Sequence, residues 1–118
     1  MRDITDLFKE TNSHVIQEII NKGGVVLGIK AENFQGVLIN DKRFSDELSK
    51  EIEKKTGVRG FISTDELPKY GIRKEDKRVI EDSFGCQEKD IVIIVADQKE
   101  KAEEAISMIE EAIKKRNT

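Results

Sequence analysis

The residue types that most often carry metal or nucleophilic chemistry are scarce in this sequence. It has one histidine, His14, and one cysteine, Cys86, far apart and without the C-x-x-C or H-x-x-x-H spacing of a metal site. No G-x-S-x-G motif is present, and Cys86 follows a helix-ending glycine rather than a strand. We therefore interpret His14 as an exposed helix residue and Cys86 as a partly buried turn residue, and we expect no metal site.

Two further motifs have both a chemical and a structural interpretation. Gly23-Gly24 resembles part of a phosphate-binding loop, but it ends a predicted helix and precedes a strand, whereas a phosphate loop follows a strand and opens a helix. Asp65-Glu66, beside Thr64, could form an acid/base pair. Asp before a proline turn more often bonds local backbone N–H groups, so we favour the structural interpretation for both motifs.

Basic residues are concentrated between positions 59 and 78. Acidic residues are mixed among them, so an ordinary solvated helix face is the first interpretation. The alternative is a few phosphate contacts to a folded RNA. A net charge of −3 argues against broad nucleic-acid binding, and no series of aromatic side chains is available for base stacking. The candidate RNA-contact residues are Arg59, Lys69, Arg73 and Lys74.

Length and composition predict one soluble domain. The 118 residues suffice for one hydrophobic core, and a single cysteine excludes an internal disulfide. No apolar run approaches the roughly 18 residues that a membrane span needs. We expect a cytoplasmic protein with no membrane and no DNA partner.

Hydrophobic periodicity predicts the elements that would position these residues. A polar, extended leader that docks a few apolar side chains precedes a helix capped by Ser13, with a stripe of Val15, Ile16, Ile19 and Ile20, and stopped by Gly23. Strands are predicted at 25–30, 34–39, 58–62 and 91–96, the last being the most apolar and therefore central. Helices are predicted at 45–55, capped by Ser45 and stopped by Gly57, at 74–84 and at 98–116; residues 63–72 are predicted to be a loop.

The predicted helices have apolar faces. Phe44, Leu48 and Ile52 line the second helix, and Val79, Ile80 and Phe84 point inward from the short charged helix. With that short helix treated as an insertion, the order after the leader is β-β-α-β-β-α. The order predicts an α+β fold, a two-layer sandwich with a mainly antiparallel four-stranded sheet and helices on one side.

Several segments carry a resemblance to a known family. Residues 3–9, 23–28, 34–38 and 43–49 resemble the central part of the E subunit of archaeal glutamyl-tRNA(Gln) amidotransferase, and the match is sharpest at Gly60-Phe61-Ile62-Ser63-Thr64-Asp65-Glu66-Leu67-Pro68-Lys69-Tyr70-Gly71-Ile72. From Val25 onward the chain resembles the GAD domain, an insertion that the E subunit shares with bacterial-type aspartyl-tRNA synthetases. The resemblance implies a DCoH-like β-β-α-β-β-α sandwich at 25–118, with 1–24 as a leader from the preceding domain. The residues of the family-motif loop are Thr64, Asp65, Glu66, Pro68, Tyr70 and Gly71.

The resemblance also implies a role in a larger enzyme. The parent is an ATP-dependent ligase that converts Glu-tRNA(Gln) to Gln-tRNA(Gln) with an asparaginase-like partner subunit that supplies ammonia. Its ATP and Mg²⁺ chemistry lies outside this segment, which is expected to hold no catalytic residue and no cofactor and to position tRNA or neighbouring domains. The alternatives are an insertion domain of an aspartyl-tRNA synthetase and a stand-alone dimerising regulatory module.

Overall fold

The computed structural model describes residues 2–30, 41–58, 62–84 and 91–116, with the backbone alone described at 63–65. The predicted strand 34–39, Arg59 and Cys86 lie outside these residues. The elements are strands β1 (Arg2–Asp3), β2 (Val25–Lys30), β3 (Ile62–Ser63) and β4 (Ile91–Ala96); helices α1 (His14–Asn21), α2 (Lys42–Thr56), α3 (Lys74–Phe84) and α4 (Lys99–Arg116); and two 3₁₀ helices, Thr5–Phe8 and Thr64–Tyr70.

The sheet that the structure describes has the strand order β1-β2-β4-β3, and every neighbouring pair is antiparallel. β2 and β4 pair along their whole lengths, from Val25 opposite Ala96 to Lys30 opposite Ile91. β4 lies between β2 and β3, which confirms the prediction that the most apolar strand is central. Val58, the predicted start of β3, is buried but lies outside the strand, Ser63 extends the strand past its predicted end, and residues 59–61 lie outside the described ranges.

Apolar side chains cover both faces of this sheet. Successive residues of β4 alternate between two separate core clusters, with Val92 and Ile94 in one and Ile91 and Ile93 in the other. Helices α2 and α4 close the first cluster, which we call the helix face. α1, α3 and both 3₁₀ helices close the second, which we call the leader face. The α+β class is thus confirmed. The prediction that the helices lie on one side of the sheet is wrong for the described residues, because a strand that is apolar on both faces needs cover on both.

The leader is more regular than the extended segment predicted. After β1 it forms the first 3₁₀ helix, and Ile4 and Phe8 are buried on the leader face. The Ile4 N–H donates to the Val26 carbonyl over 2.8 Å. The hydroxyl and N–H of Thr5 both donate to the Asp3 carboxylate, and these bonds hold the pKa of Asp3 below its ordinary value. The leader is therefore hydrogen-bonded to the sheet as well as packed against it.

α1 begins and ends as predicted. Its cap Ser13 accepts the Ile16 N–H over 3.3 Å, and Gly23 follows with φ of 92°. Ile16 is buried, but Val15 is 62% exposed, so its predicted inward position is wrong. Val79 on α3 shows the same error at 53% exposure. Each of these valines lies about 100° around its helix from the residue that is buried, Ile16 or Ile80, and so falls on the flank.

α2 begins earlier than predicted. Its cap is Asp41, which accepts the Phe44 N–H over 3.1 Å, so the prediction of Ser45 as the cap is wrong. Asp41 also forms an ion pair with Arg116 at the end of α4, and the Arg116 guanidinium lies 4.8 Å from the Phe44 ring centroid. The predicted stop at Gly57 is confirmed by its φ of 78°. The start of α2 and the end of α4 therefore lie together, and the two helices run antiparallel.

Gly24 lies where the end of α1 packs tightly against the end of β4. A Cβ atom there would lie 2.4 Å from the Ile19 Cγ2 atom and 2.7 Å from the Ala96 carbonyl oxygen. The Gly24 N–H donates to the Ile19 carbonyl over 2.8 Å and the Gly23 N–H to the Ile20 carbonyl over 3.0 Å, the two bonds of a Schellman helix stop. The structural interpretation of Gly23-Gly24 is confirmed.

Among the helices that the structure describes, none is long and apolar enough to cross a membrane.

Candidate functional site

The proline loop of the family motif is a 3₁₀ helix with a defined stop, rather than the irregular loop predicted. The Gly71 N–H donates to the Pro68 carbonyl and the Ile72 N–H to the Leu67 carbonyl, both over 3.1 Å. Gly71 has φ of 78°, a left-handed conformation that glycine adopts without strain. Leu67 and Ile72 are both buried on the leader face. We call residues 67–72 the proline turn.

The leader contacts the proline turn at the carbonyl of Tyr70. This oxygen accepts the Asn12 N–H over 3.1 Å and also the Thr11 hydroxyl. A Cβ atom on Gly71 would lie 3.3 Å from the Asn12 backbone nitrogen and 3.3 Å from its side-chain amide. Because Gly71 carries no side chain, the backbone of the turn can pack directly on the leader. The carbonyl left without an intrahelical partner at the end of the 3₁₀ helix is thus satisfied by a segment 59 residues away.

Tyr70 itself is half-buried against the leader-face cluster. Burial, with a smaller contribution from the nearby Glu66 carboxylate, raises the pKa of the Tyr70 phenol above its ordinary value. Glu66 is half-buried, and it is not without an interaction partner. Thr64 and Asp65 begin the 3₁₀ helix, but the structure describes only their backbone, so the predicted turn role of the Asp65 side chain stays a prediction.

Three of the four candidate RNA-contact residues lie at the surface around the proline turn. Lys69 is within the turn, and Arg73 and Lys74 follow it at the start of α3; all three are exposed. Arg73 forms an ion pair with Asp76 over 3.5 Å, and its side chain remains 77% exposed. Arg59 lies outside the described residues. Lys69, Arg73 and Lys74 are therefore exposed on one continuous segment of the chain.

The charge of this stretch differs in sign from that of the whole chain. Residues 69–78 carry a net charge of +3, whereas the chain as a whole carries −3. The basic residues are Lys69, Arg73, Lys74, Lys77 and Arg78, against Glu75 and Asp76. Exposed cations on a short stretch attract a polyanion over about 10 Å at moderate salt. We call Lys69, Arg73 and Lys74 the basic turn residues.

Cys86 lies outside the described residues, and the other chemical candidates that the structure does describe are not assembled into a centre. His14 is exposed at the start of α1. Within the described ranges, no three His, Cys, Asp or Glu side chains come together in a way that could hold a metal ion. The N–H groups of Gly23 and Gly24 donate to the Ile20 and Ile19 carbonyls, so they are not available to bind a phosphate group.

Comparison with known proteins identifies the family. The model of the GAD domain matches residues 16–106. The chain belongs to the GAD family. It is 33% identical to the E subunit of glutamyl-tRNA(Gln) amidotransferase from Saccharolobus solfataricus, over 96% of this chain, and 36% identical to that of Methanococcus maripaludis strain C5, over 97%. The match to the same subunit of Sulfolobus acidocaldarius is 34% identical over 94% of the chain. The chain spans only about 19% of the length of the first two relatives and 18% of the third.

Sequence reasoning missed the residues that hold the proline turn in this GAD chain. Thr11 and Asn12 carry no motif, and their partner at Tyr70 is distant in sequence. The available signal is local: Leu67 and Ile72 bracket Gly71 in the spacing of a Schellman stop, with apolar residues at both ends. That spacing predicts the turn, but it does not identify the segment that contacts its free carbonyl.

Proposed function

We propose that this chain is the GAD portion of a glutamyl-tRNA(Gln) amidotransferase subunit and positions tRNA within that enzyme without performing chemistry itself. The observation that carries the proposal is the similarity to the E subunits of three archaea over 94–97% of the chain, a span that includes the leader. The relatives' name supplies tRNA(Gln) as the polyanion that the basic turn residues would contact. By the same resemblance, the partner subunit is the asparaginase-like one and the location is the cytoplasm.

The proposal assigns each part of the chain a place in the parent protein. Residues 1–24 are proposed to lead in from the preceding domain, with 16–24 also covered by the family match, and 25–118 are proposed to form the main part of the GAD domain with its β-β-α-β-β-α order. The amidation reaction and its ATP and Mg²⁺ are assigned to other regions of the longer polypeptide. In support, no three metal-ligating side chains come together within the described residues, and the N–H groups of Gly23 and Gly24 are used in the helix stop.

The tRNA contact is proposed to be electrostatic and insensitive to base sequence. Lys69, Arg73 and Lys74 are exposed on long side chains that reach phosphate oxygens readily. Tyr70, the single tyrosine, is half-buried and its phenol packs toward the core, so it offers no open ring for base stacking. Contacts to phosphates fix the position of an RNA without depending on its base sequence, which suits a domain that only positions the tRNA.

Charge reversal of the three basic turn residues tests the proposal. We expect Lys69→Glu/Arg73→Glu/Lys74→Glu to weaken binding of tRNA(Gln) at low salt and to reduce the slope of log affinity against log salt by about one per lost phosphate contact. The measurement is tRNA(Gln) affinity over a salt series.

A matched control makes an equal change in net charge on the helix face. Lys50, Lys54 and Lys114 are exposed on α2 and α4, so their triple reversal to Glu alters net charge equally at a surface away from the proline turn. The control should lower affinity only slightly. Equal losses from both triple variants would mean that net charge alone matters, and the proposed contact would be wrong.

A further inference from the structure

Thr11 is a buried polar residue whose hydrogen-bonding groups are all used. It is 1% exposed, and its hydroxyl donates to the Tyr70 carbonyl while accepting the Ser13 N–H over 3.3 Å. Its own N–H donates to the Phe8 carbonyl over 3.2 Å, and its carbonyl accepts the side-chain amide of Gln17. The residue therefore links the first 3₁₀ helix, the start of α1 and the proline turn at one point.

The Thr11 hydroxyl and the Asn12 N–H converge on one oxygen of the proline turn. That oxygen belongs to Tyr70, which is followed by Gly71, whose backbone packs against Asn12. These contacts fix the peptide between Lys69 and Arg73. The side chains of the basic turn residues are long and exposed, so the backbone of the turn sets the points from which they extend rather than their rotamers.

The leader's attachment to the sheet does not depend on Thr11. Ile4, Phe8 and Ile16 bury their side chains in the leader-face cluster, and Ile4 and Thr5 are hydrogen-bonded to Val26. Removing the Thr11 hydroxyl should therefore leave the leader docked while loosening its hold on the turn. The two roles of the leader are separable by mutation.

We propose that Thr11 is a positioning residue through which the docked leader holds the backbone that carries the basic turn residues in one conformation for tRNA. The inference rests on the proposed function, since it takes the tRNA contact at Lys69, Arg73 and Lys74 as given. It makes tRNA binding by the GAD domain dependent on the segment that precedes it, because a displaced leader would release the turn.

The test compares three single substitutions in the 118-residue chain. Thr11→Val removes the hydroxyl at nearly constant volume, Thr11→Ser keeps it, and Thr5→Val is the matched control that removes a leader hydroxyl bonded to the sheet at Val26 instead of the turn. Two quantities are measured: amide hydrogen exchange at Gly71 and Ile72, and tRNA(Gln) affinity at low salt.

For Thr11→Val we expect exchange at Gly71 and Ile72 to be about tenfold faster, the ratio expected for one buried hydrogen bond, and tRNA affinity to fall about threefold although no charge has changed. Thr11→Ser and Thr5→Val should resemble the wild type in both measurements at these sites. Thr11→Ser also serves if Thr11→Val fails to fold, because restored folding and slow exchange would trace the effect to the hydroxyl.

Two results would overturn the inference. One is unchanged exchange at Gly71 and Ile72 in Thr11→Val. The other is faster exchange with unchanged tRNA affinity while reversal of the basic turn residues still weakens binding, which would leave the proposed function standing. If charge reversal has no effect on tRNA affinity, the proposed tRNA contact is wrong. The exchange measurement involves no RNA, so it still reports whether Thr11 holds the turn, and the two failures can be told apart.

Discussion

The two faces of the sheet are closed by different means. On the helix face, two long helices lay regular apolar stripes over β2 and β4, including Leu48 and Ile52 from α2 and Ile109 from α4. On the leader face, short segments supply one or two anchors each and are joined by specific polar bonds, such as those at Thr11 and Thr5. The first kind of closure tolerates a change in any one contact better than the second, because its contacts are numerous and alike.

The largest expected effect is on the leader face, at Phe8. Its ring is fully buried, so Phe8→Ala should lower the free energy of unfolding by roughly 3–5 kcal/mol. Phe44→Ala makes the same chemical change on the helix face, where the ring is half-buried, and should cost about 2 kcal/mol. Urea unfolding of both variants measures the difference. Equal losses would contradict the difference in burial between the two rings.

The junction between the leader and the sheet should be sensitive to a single methyl group. Gly24→Ala places a Cβ atom against two backbone oxygens that cannot move aside, and should cost about 1–3 kcal/mol or more. Gly23→Ala is the neighbouring control: it meets no atom within 4 Å, so only its positive φ opposes alanine, at about 1 kcal/mol. Thermal unfolding compares them. A larger loss at Gly23 would contradict the close packing seen at Gly24.

Helix capping distinguishes the predicted start of α2 from the observed one. Asp41→Ala removes the cap and the ion pair with Arg116, and should cost about 1 kcal/mol, most of it from the cap. Ser45→Ala should change stability by at most about a few tenths of a kcal/mol, because Ser45 lies inside the helix. Chemical denaturation measures both. A larger effect at Ser45 would restore the sequence-based assignment.

The smallest expected effect is the pH dependence from Tyr70. The folded state raises the pKa of its phenol, so between the ordinary value of 10.0 and the higher folded value the unfolded chain loses this proton first. The contribution of Tyr70 to stability is therefore complete below pH 10 and is lost as pH rises through the folded pKa. Comparing stability against pH for the wild type and Tyr70→Phe isolates it, and parallel curves for the two would contradict the assignment.

The helix face can be predicted from sequence because its elements are long and periodic. The predicted start of α4 is within one residue of the observed one, and β4, on which this face packs, has the predicted bounds. Periodicity is a local property, and each added turn of helix strengthens it. The predicted cap of α2 is wrong because Asp41 and Ser45 are both good caps, and the sequence does not say which one the packing selects.

The leader face can be predicted only in part. The run of apolar residues in β4 already implies cover on both sides, since Ile91 and Ile93 need burial as much as Val92 and Ile94 do. The sequence also predicts that the leader docks a few apolar side chains, but not that it covers this face of the sheet. The link from Thr11 to Tyr70 depends on tertiary position rather than on any local propensity, and so does the exposure of Val15 and Val79.

The pairing of β1 has a practical consequence for dissecting the domain. Along the side of β2 that faces away from β4, Arg2 lies opposite Gly28, Asp3 lies opposite Leu27, and Ile4 and Thr5 bond the backbone of Val26. A shortened chain that starts at Val25 would lack these partners, and this edge of β2 would be exposed. An exposed edge strand can pair with strands of other molecules, so we expect this truncation to promote self-association. The first 24 residues protect the edge of β2 from such pairing.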